Sequence, residues 1–431
     1  MSRIGIVGGG AAGALVAAQI LRQASDATQI VIFEPREQLA EGSAYSTTDE
    51  LHLLNVRASG MSALPDQPDH FRAWARAEPT EFVPRVRYAN YLRDLLSESA
   101  VDSDSVVHVR DLAVSVTPRP NGVRVKAADG SSWEFDRAVL ATGHRPPGIP
   151  AGIRVNPKAL PYVSVDPWAP ATSLPAGGHL AILGSGLTAI DAAMSLLTRD
   201  EVASVVMVSR NGLLPARHVP PAAPIPALLT VDDVAEGLPL DRALQAVRAA
   251  GDDWRLAIDS LRATTPDLWQ ALGPWRREQF ARHLRRLWDV HRHRMAPSIA
   301  DAIDRWRSEG RLEVVAAPID SIDVSEGRVA LRSADDQLWI ADRVVVATGP
   351  NDSVTTCPLL GPLVEEGTLA SGPLGWGVDV EPATLRPRDH RGNPWPQLHV
   401  IGPPTRGTLF ESTAMPEIRQ QAALIGQLVR V

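Results

Sequence analysis

The chain has 431 residues, enough for two or three domains, and 44% hydrophobic with 22% charged residues is typical of a globular protein with a substantial core. The net charge of −7 argues against a nucleic-acid partner, and no apolar run approaches a membrane span, so we expect a cytoplasmic protein that contacts no membrane. The single cysteine, Cys357, excludes a dithiol relay, and without a Cys/His cluster at zinc spacing we expect no metal site.

The chain opens with a predicted strand, a glycine-rich turn and a predicted helix. Ile4, Ile6 and Val7 predict a short buried strand, and residues 14–21, rich in Ala, Leu and Val, predict a helix. Between them lies a G-x-G-x-x-G match, in the strand–turn–helix setting that indicates a dinucleotide-binding turn. A cleaved signal peptide, the alternative suggested by Arg3 before an apolar run, needs no such glycine pattern. We therefore assign to a first cofactor site Gly8, Gly9, Gly10, Ala11, Ala12 and Gly13.

An acidic residue follows the second predicted strand. Residues 29–33 form an apolar run that ends in Glu34, about 20 residues beyond Gly13, where a carboxylate can hold a ribose hydroxyl. We assign Glu34 and the nearby Arg36 to the first cofactor site. Glycines, strand, helix and acid together predict that this site binds FAD.

The same pattern returns in mid-chain. Residues 179–183 predict a strand, and a helix is predicted through Leu197. The next predicted strand, residues 204–208, ends in Ser209 and Arg210 instead of an acid, and these residues can bind a 2′-phosphate that a carboxylate would repel. The second site should therefore prefer NADPH to NADH, unless Arg210 is only a solvated surface residue. We assign to it Gly184, Ser185, Gly186, Leu187, Thr188, Ser209 and Arg210.

Matching exit segments extend the duplication. Residues 136–143 and 342–349 both end in Ala-Thr-Gly, and small residues let the backbone approach a cofactor closely. Each segment follows alternating, turn-punctuated stretches that predict a β-meander, over residues 106–135 and 312–340. The predicted cofactor contacts in these turns are Ala141, Thr142, Gly143, Ala347, Thr348 and Gly349.

These motifs give the chain a resemblance to the two-dinucleotide-binding-domain flavoproteins. Within that group it is similar to FAD/NAD(P)-binding proteins with urate-hydroxylase-like and aspartate N-monooxygenase-like members. Besides the glycine turns, the resemblance rests on five short motifs. These are Leu53-Leu54-Asn55-Val56, Phe82-Val83-Pro84-Arg85, Ala141-Thr142-Gly143-His144, Ser209-Arg210-Asn211-Gly212 and His291-Arg292-His293-Arg294.

The resemblance implies further flavin contacts. It places Asn55, our candidate catalytic residue, near the reactive edge of the isoalloxazine, where an amide could hydrogen-bond a C4a-peroxide or the nicotinamide carboxamide. A turn-forming asparagine is the alternative. Met61, Thr413 and Met415 are further expected contacts, with the last helix (residues 416–428) aimed at the pyrimidine ring. Gly402 is assigned to the site too, although Pro403 follows it where many relatives carry an aspartate near the ribityl chain.

A long helical stretch interrupts the second nucleotide domain. Residues 231–310 are predicted to be mainly helical and to form a lid or a dimer face, so a homodimer is possible. Apolar residues at helical spacing share a face with His291, whereas the many arginines form either a basic wall for anions or a solvated cationic surface. The tryptophans are either core residues or the lining of an apolar cavity. They are Trp254, Trp269, Trp275 and Trp288.

The predicted fold class is α/β, with two Rossmann-like dinucleotide-binding domains, β-meanders and a helical insertion in the second domain. Residues 1–160 and 350–431 should form the FAD-binding domain, and residues 161–349 the NADP-binding domain, with the insertion at about 231–310 and a Pro/Gly-rich link over 145–170. The resemblance implies an FAD- and NADPH-dependent monooxygenase that uses O2 to hydroxylate a small nucleophilic metabolite through a C4a-peroxyflavin. The alternatives are a flavoprotein reductase that inserts no oxygen and a non-catalytic FAD-binding protein.

Overall fold

A computed structural model describes residues 2–24, 27–100, 102, 104–168, 174–175, 177–235 and 240–429. Residues 169–170 of the predicted link and residues 236–239 of the predicted insertion lie outside these ranges. The strands are β1 Ser2–Val7, β2 Thr28–Phe33, β3 Val106–Val109, β4 Ala113–Arg119, β5 Gly122–Ala127, β6 Ser132–Phe135, β7 Arg137–Leu140, β8 Arg154–Val155, β9 Val163–Ser164, β10 Gly178–Leu183, β11 Val202–Ser209, β12 Leu312–Ala316, β13 Ile319–Ser325, β14 Arg328–Ser333, β15 Leu338–Ala341, β16 Arg343–Val346, β17 Val380–Glu381, β18 Arg386–Pro387 and β19 Leu398–Val400.

Helices connect and cover these strands. They are α1 Ala11–Gln23, α2 Gly42–Tyr45, α3 His70–Ala75, α4 Arg85–Ser99, α5 Leu187–Thr198, α6 Val231–Ala235, α7 Leu240–Ala249, α8 Trp254–Ser260, α9 Thr265–Ala271, α10 Pro274–Gln279, α11 Arg285–Arg292, α12 Pro297–Ser308, α13 Leu360–Glu365, α14 Arg406–Leu409 and α15 Met415–Leu428. A π-helical turn, Phe280–Leu284, joins α10 to α11.

The first unit is built on a five-stranded parallel sheet of order β19-β7-β1-β2-β3. Its strands are apolar over consecutive residues because both faces of the sheet are covered. Ile30, Val31, Ile32 and Phe33, for example, are at most 1% exposed. Helices α1, α4 and α15 pack on one face, and the strands β4–β6 with residues 354–380 pack on the other.

The second unit repeats this arrangement in a five-stranded parallel sheet of order β12-β11-β10-β16-β9. In both units the first strand lies beside the strand that ends in Ala-Thr-Gly, β1 against β7 and β10 against β16. The predicted fold class, with two Rossmann-like units, is confirmed. The carboxyl ends of the parallel strands bring each glycine turn and each exit turn to the same edge of their sheet.

The predicted meanders are correct only in their later strands. The segments β4–β6 and β13–β15 are antiparallel meanders. Val106–Val109 and Leu312–Ala316, which we assigned to the meanders, instead pair in parallel with β2 and β11 as edge strands of the two large sheets. Short apolar strands carry no sequence signal for their partner, so each predicted meander is one strand longer than the observed one.

The connection between the units belongs structurally to the second one. Strand β8 pairs with β13, and strand β9 pairs with β16. Helix α12 packs with α5 in the core of the second sheet, through Ile299, Ile303 and Trp306. The helices α6–α11, together with the π-turn, form a separate group between β11 and α12, which we call the helical layer. In the part of the chain that the structure describes, no helix is both long enough and apolar enough to cross a membrane.

Candidate active site

The first glycine turn is constrained by contacts with the exit strand and with itself. Gly8 has φ +100°, and a Cβ there would lie 2.4 Å from the carbonyl oxygen of Ala141. A Cβ at Gly13 would lie 1.9 Å from the carbonyl oxygen of Gly8, so helix α1 can start this close to β1 only with glycine at that position. At Gly10 a Cβ would lie 3.1 Å from Gly42. Bare backbone at the start of α1 is the arrangement that receives a pyrophosphate.

Glu34 lies at the end of β2, beside this turn, and is only 5% exposed. Its carboxylate accepts hydrogen bonds from the backbone N–H of Gly9 at 3.0 Å and of Arg36 at 3.1 Å. The Arg36 guanidinium also bonds it at 3.2 Å, while the rest of that side chain is exposed. The acid therefore fixes the turn and stands next to the position where a ribose would lie. Ala11 and Ala12 begin α1 directly behind the turn.

The two exit turns are alike in detail. The buried Ala141 donates its N–H to Val7, and Ala347 donates its N–H to Leu183, each at 2.8 Å. After them the chain opens: Gly143 has φ +67° and Gly349 has φ +89°, and a Cβ on either would meet no described heavy atom within 4 Å. Thr142 is half-buried and Thr348 is exposed, so this part of each turn faces open space.

The second glycine turn repeats the first. Gly184 has φ +120°, and a Cβ there would lie 2.1 Å from the carbonyl oxygen of Ala347. A Cβ at Gly186, in contrast, would meet no described heavy atom within 4 Å, so the space above this residue is open to a ligand. Helix α5 starts at once with the half-buried Leu187 and Thr188.

Ser185 and Ser209 tie this turn to the end of β11. Ser185 is 1% exposed, and its hydroxyl bonds the hydroxyl of Ser209 at 2.8 Å and the carbonyl oxygen of Leu213 at 2.7 Å. Ser209 also accepts the N–H of Gly212 at 3.1 Å. The Ser209 hydroxyl, which we assigned to the 2′-phosphate, and the Ser185 hydroxyl thus both have partners within the protein, and the exposed Arg210 follows Ser209.

A second arginine reaches this turn from the helical layer. Arg286, in α11, donates to the Ser185 hydroxyl at 3.1 Å and to the Leu213 carbonyl at 2.7 Å. Burial lowers the pKa of Arg286, Asp289 opposes this effect, and the charge of Arg210 lowers the pKa further. Arg210, which follows β11, is therefore close enough for its charge to repel that of Arg286, and an anion bound near both guanidinium groups would relieve this repulsion. In the sequence Arg286 is one of many arginines in this stretch, and no spacing distinguishes it.

The residues assigned to the flavin edge differ in exposure. Asn55 is half-buried, and its carbonyl accepts from Nε2 of His218 at 3.0 Å. The Met61 side chain lies in the first core and is 2% exposed, so little of its surface remains for a cofactor. Gly402 has φ +76° and donates its N–H to Gln421 of α15 at 2.7 Å. Thr413 is half-buried and Met415 is 4% exposed at the start of α15.

A buried group of charges lies where the helical layer meets α15. Arg292 is 7% exposed and lies 3.8 Å from Glu411 and 3.7 Å from Glu417. Among the described residues its Nε and Nη2 have no hydrogen-bond partner at normal distance, which is unusual for buried donors, although both carboxylates lie close enough to pair with its charge. Burial opposes the ionisation of Glu411, but His293, Arg292 and the Trp288 indole, which donates at 2.7 Å, outweigh it and lower its pKa.

Arg85, the last residue of the Phe82-Val83-Pro84-Arg85 motif, has a buried partner on the second unit. Its guanidinium pairs at 2.9 Å with Asp191 of α5, which is only 5% exposed. Nearby, His52 bonds Thr47 and Ser195 at 2.7 Å each. These contacts join the first unit to the second through a buried polar interface.

Comparison with known proteins agrees with this architecture. Residues 5–145 match the family model described as FAD-NAD(P)-binding, which confirms the predicted kind of cofactor. A search of curated protein sequences gave no significant match. The predicted resemblance to two-domain flavoproteins is confirmed at the level of the fold by the solved structures described next.

Three solved structures cover nearly the whole chain. The ornithine N-hydroxylase of Kutzneria sp. 744 superposes with a TM-score of 0.64 at 17% identity, over 98% of this chain and 97% of that one. The flavin-containing monooxygenase of Stenotrophomonas maltophilia gives a TM-score of 0.56 at 18% identity, over 99% and 98%. The thioredoxin reductase of Lactococcus lactis gives a TM-score of 0.57 at 10% identity, over 99% and 97%. At such identities the likeness establishes the shared fold.

Proposed function

We propose that the protein is an FAD- and NADPH-dependent flavoprotein monooxygenase that uses O2 to hydroxylate a small nucleophilic metabolite, such as an amine, an amino acid or a heterocycle. The observation that carries the proposal is the contrast between the two glycine turns. The first has a carboxylate, Glu34, at the end of its second strand, whereas at the second Arg286 hydrogen-bonds the turn and the exposed Arg210 follows the second strand. A carboxylate suits a ribose hydroxyl, and a pair of guanidinium groups suits the 2′-phosphate of NADPH.

Each turn fits a dinucleotide. In both, a Cβ at the first glycine would collide with the exit strand, and the middle glycine leaves its backbone bare at the start of a helix. Gly8 to Gly13 would hold the FAD pyrophosphate, and Gly184 to Thr188 the NADPH pyrophosphate, at the positive ends of the α1 and α5 dipoles. When bound, the nicotinamide supplies hydride and the flavin supplies the activation of O2.

The remaining groups position and shield the reactants. Helix α15 would direct its N-terminus, with Thr413 and Met415, at the flavin edge, where its dipole stabilises negative charge. The Asn55 amide would hydrogen-bond a reacting group, since its backbone is held in place by His218. The helical layer covers this region through contacts such as that between Trp288 and Glu411, and such a cover excludes water from the reaction.

The fold also serves disulfide reductases, as the thioredoxin reductase structure shows. That chemistry transfers electrons through a pair of cysteines, and this chain has only Cys357, which is half-buried. The absence of a second cysteine in the sequence therefore favours the monooxygenase over a disulfide reductase.

The experiment has two stages. The purified protein should show the visible absorption of bound flavin, and it should then consume NADPH and O2 together when amines, amino acids and purines are tried as substrates. Formation of a hydroxylated product in proportion to NADPH consumed supports the proposal. A colourless protein that takes up no flavin would refute it, and so would NADPH oxidation that passes electrons to quinones without any hydroxylated product.

A further inference from the structure

A partly open cavity of about 520 Å³ lies within the helical layer. Its walls come from α7, α8, α9, the π-turn and α11, and Phe410 closes it from the side of the first unit. The lining is almost entirely apolar, with Leu, Val and Trp side chains predominating. This volume and character are those of a site for a small organic molecule, because ligand pockets are commonly about 300–1,000 Å³ and mostly apolar.

Tryptophans form a firm wall of this cavity. The sequence left open whether they are core residues or line a cavity, and the structure shows that Trp254, Trp269 and Trp288 line it, whereas Trp275 is 67% exposed. Trp269 is fixed by its indole N–H, which donates to the carbonyl of Gly407 at 2.7 Å, and by stacking on Phe410 with centroids 4.7 Å apart. Such a wall offers large, flat apolar surfaces to a ligand.

Few polar groups border the cavity. One is His291, whose Nδ1 lies 2.7 Å from the carbonyl of Leu287 and must donate to it, because a carbonyl only accepts. In the neutral ring Nε2 is then an acceptor, suited to an N–H or O–H of a ligand. The others are Arg248, at the end of α7, and Thr265, whose hydroxyl donates to the carbonyl of Leu261 at 2.6 Å. A doubly charged molecule would find few partners here, and burying charge without partners is unfavourable.

The cavity adjoins the proposed flavin site. Phe410, part of the cavity wall, has φ +56° and directly precedes Glu411, which accepts the hydrogen bond of Trp288. The same segment continues into Thr413 and Met415, the proposed flavin contacts at the start of α15. A molecule whose apolar part occupies the cavity could therefore place its reactive end near this segment.

We propose that the cavity binds the apolar part of the substrate, so that the substrate is an amine carrying an aryl or long alkyl group, not a small amino acid with charges at both ends. This inference rests on the proposed monooxygenase function in so far as it calls the bound molecule a substrate. The binding itself follows from the cavity, and it can be measured without turnover.

The test compares two ligands that share a four-carbon chain with a primary amine at one end and differ at the other end. 4-Phenylbutylamine and 1,4-diaminobutane are titrated against the oxidised holoenzyme without NADPH, with tryptophan fluorescence as the readout. Because a buried phenyl ring contributes strongly to binding, we expect the aryl amine to bind at least about tenfold more tightly. Equal affinities, or tighter binding of the diamine, would overturn the proposal.

Matched variants locate the site. Ala243 lines the cavity, and Ala249 lies on the exposed side of the same helix. Ala243→Phe should fill the space and weaken the aryl amine at least about tenfold, whereas Ala249→Phe should leave its affinity unchanged. Val247→Phe, a second filling variant, guards against misfolding of the first, and circular dichroism checks each protein. Aryl-amine binding that none of these variants changes would place the ligand elsewhere and refute the inference.

The two proposals can fail separately. If the aryl amine binds in the cavity but no amine supports coupled NADPH and O2 consumption, the monooxygenase function fails and the binding site stands. If only small charged amines are hydroxylated and the cavity variants keep full activity with them, the function stands and the cavity inference fails.

Discussion

Replacing Arg210 or Arg286 with alanine should reduce the preference of the protein for NADPH over NADH. Arg286 hydrogen-bonds the second glycine turn, and the charge of Arg210 lowers the pKa of Arg286, so the two residues share one electrostatic site. NADH lacks the 2′-phosphate that this site would hold. The relevant quantity is therefore the ratio of the two dissociation constants, since Arg286 also fixes Ser185 and Leu213 and its loss can weaken both ligands.

The structure sets different magnitudes for the two arginines. A hydrogen bond to a charged group contributes about 1.5–3 kcal/mol, and each 1.4 kcal/mol is about tenfold in affinity. Arg286 is half-buried and held by two hydrogen bonds, so we expect Arg286→Ala to lower the NADPH preference by roughly ten- to a hundredfold. Arg210 is exposed and screened by solvent, so Arg210→Ala should lower the preference by less than about tenfold.

The assay is titration of NADPH and NADH against the oxidised holoenzyme by calorimetry, at low and high salt. Arg282→Ala is the matched control, because Arg282 lies in the same helical stretch and is exposed to solvent. It should leave the ratio unchanged, and added salt should narrow the difference between the wild type and the Arg210 variant. If Arg286→Ala weakened NADPH and NADH by the same factor, the guanidinium pair would not be a phosphate site.

Three further predictions concern stability. Gly184→Ala should lower the melting temperature and abolish NADPH binding, because the new Cβ would lie 2.1 Å from a carbonyl oxygen and the backbone has φ +120°. Gly186→Ala is the matched control, because its Cβ would meet no described heavy atom within 4 Å. It should keep the melting temperature and weaken only NADPH binding. Burial lowers the pKa of the fully buried His399 from 6.5 to about 4, so its neutral form contributes stability that is complete above pH 6.5 and is lost as the pH falls through about 4. The free energy of unfolding, measured with urea, should therefore fall by up to about 3 kcal/mol over this pH window in the wild type and stay nearly constant in His399→Asn. An equal fall in the variant would contradict this. Arg85→Met should destabilise the protein by about 3–5 kcal/mol, because it leaves Asp191 buried without its partner. Adding Asp191→Leu should restore part of this loss in the same urea-unfolding assay. Purely additive losses of the two variants would show that the pair does not interact.

The features that the sequence predicts well are local. Glycine turns, the strands before them and the helices after them are specified within about 15 residues, because a left-handed turn at Gly8 or Gly184 can be formed by few other residues. The Ala-Thr-Gly exits are predictable because the chain repeats them. The structure brings each of these segments to the carboxyl edge of its sheet, as the topology requires.

What the sequence could not show depends on contacts between distant segments. The edge strands β3 and β12 were placed in the meanders because pairing partners leave no local signal. Arg286 lies 101 residues from Ser185, and Arg85 lies on a different unit from Asp191, so only the folded chain shows their partners. Three of the four tryptophans proved to line a cavity, and helical spacing alone could not separate them from the exposed Trp275.

The two large sheets differ in how far along the sequence their last strands lie, and this affects the order in which they can form during synthesis on the ribosome. The edge strands of the second sheet are β9 and β12, and its last strand in the sequence is β16, so the whole sheet is encoded before residue 347. The first sheet waits for β19, and its face waits for α15, near the end of the chain. We therefore expect the second unit to become protease-resistant on nascent chains first, although the first unit begins at the N-terminus.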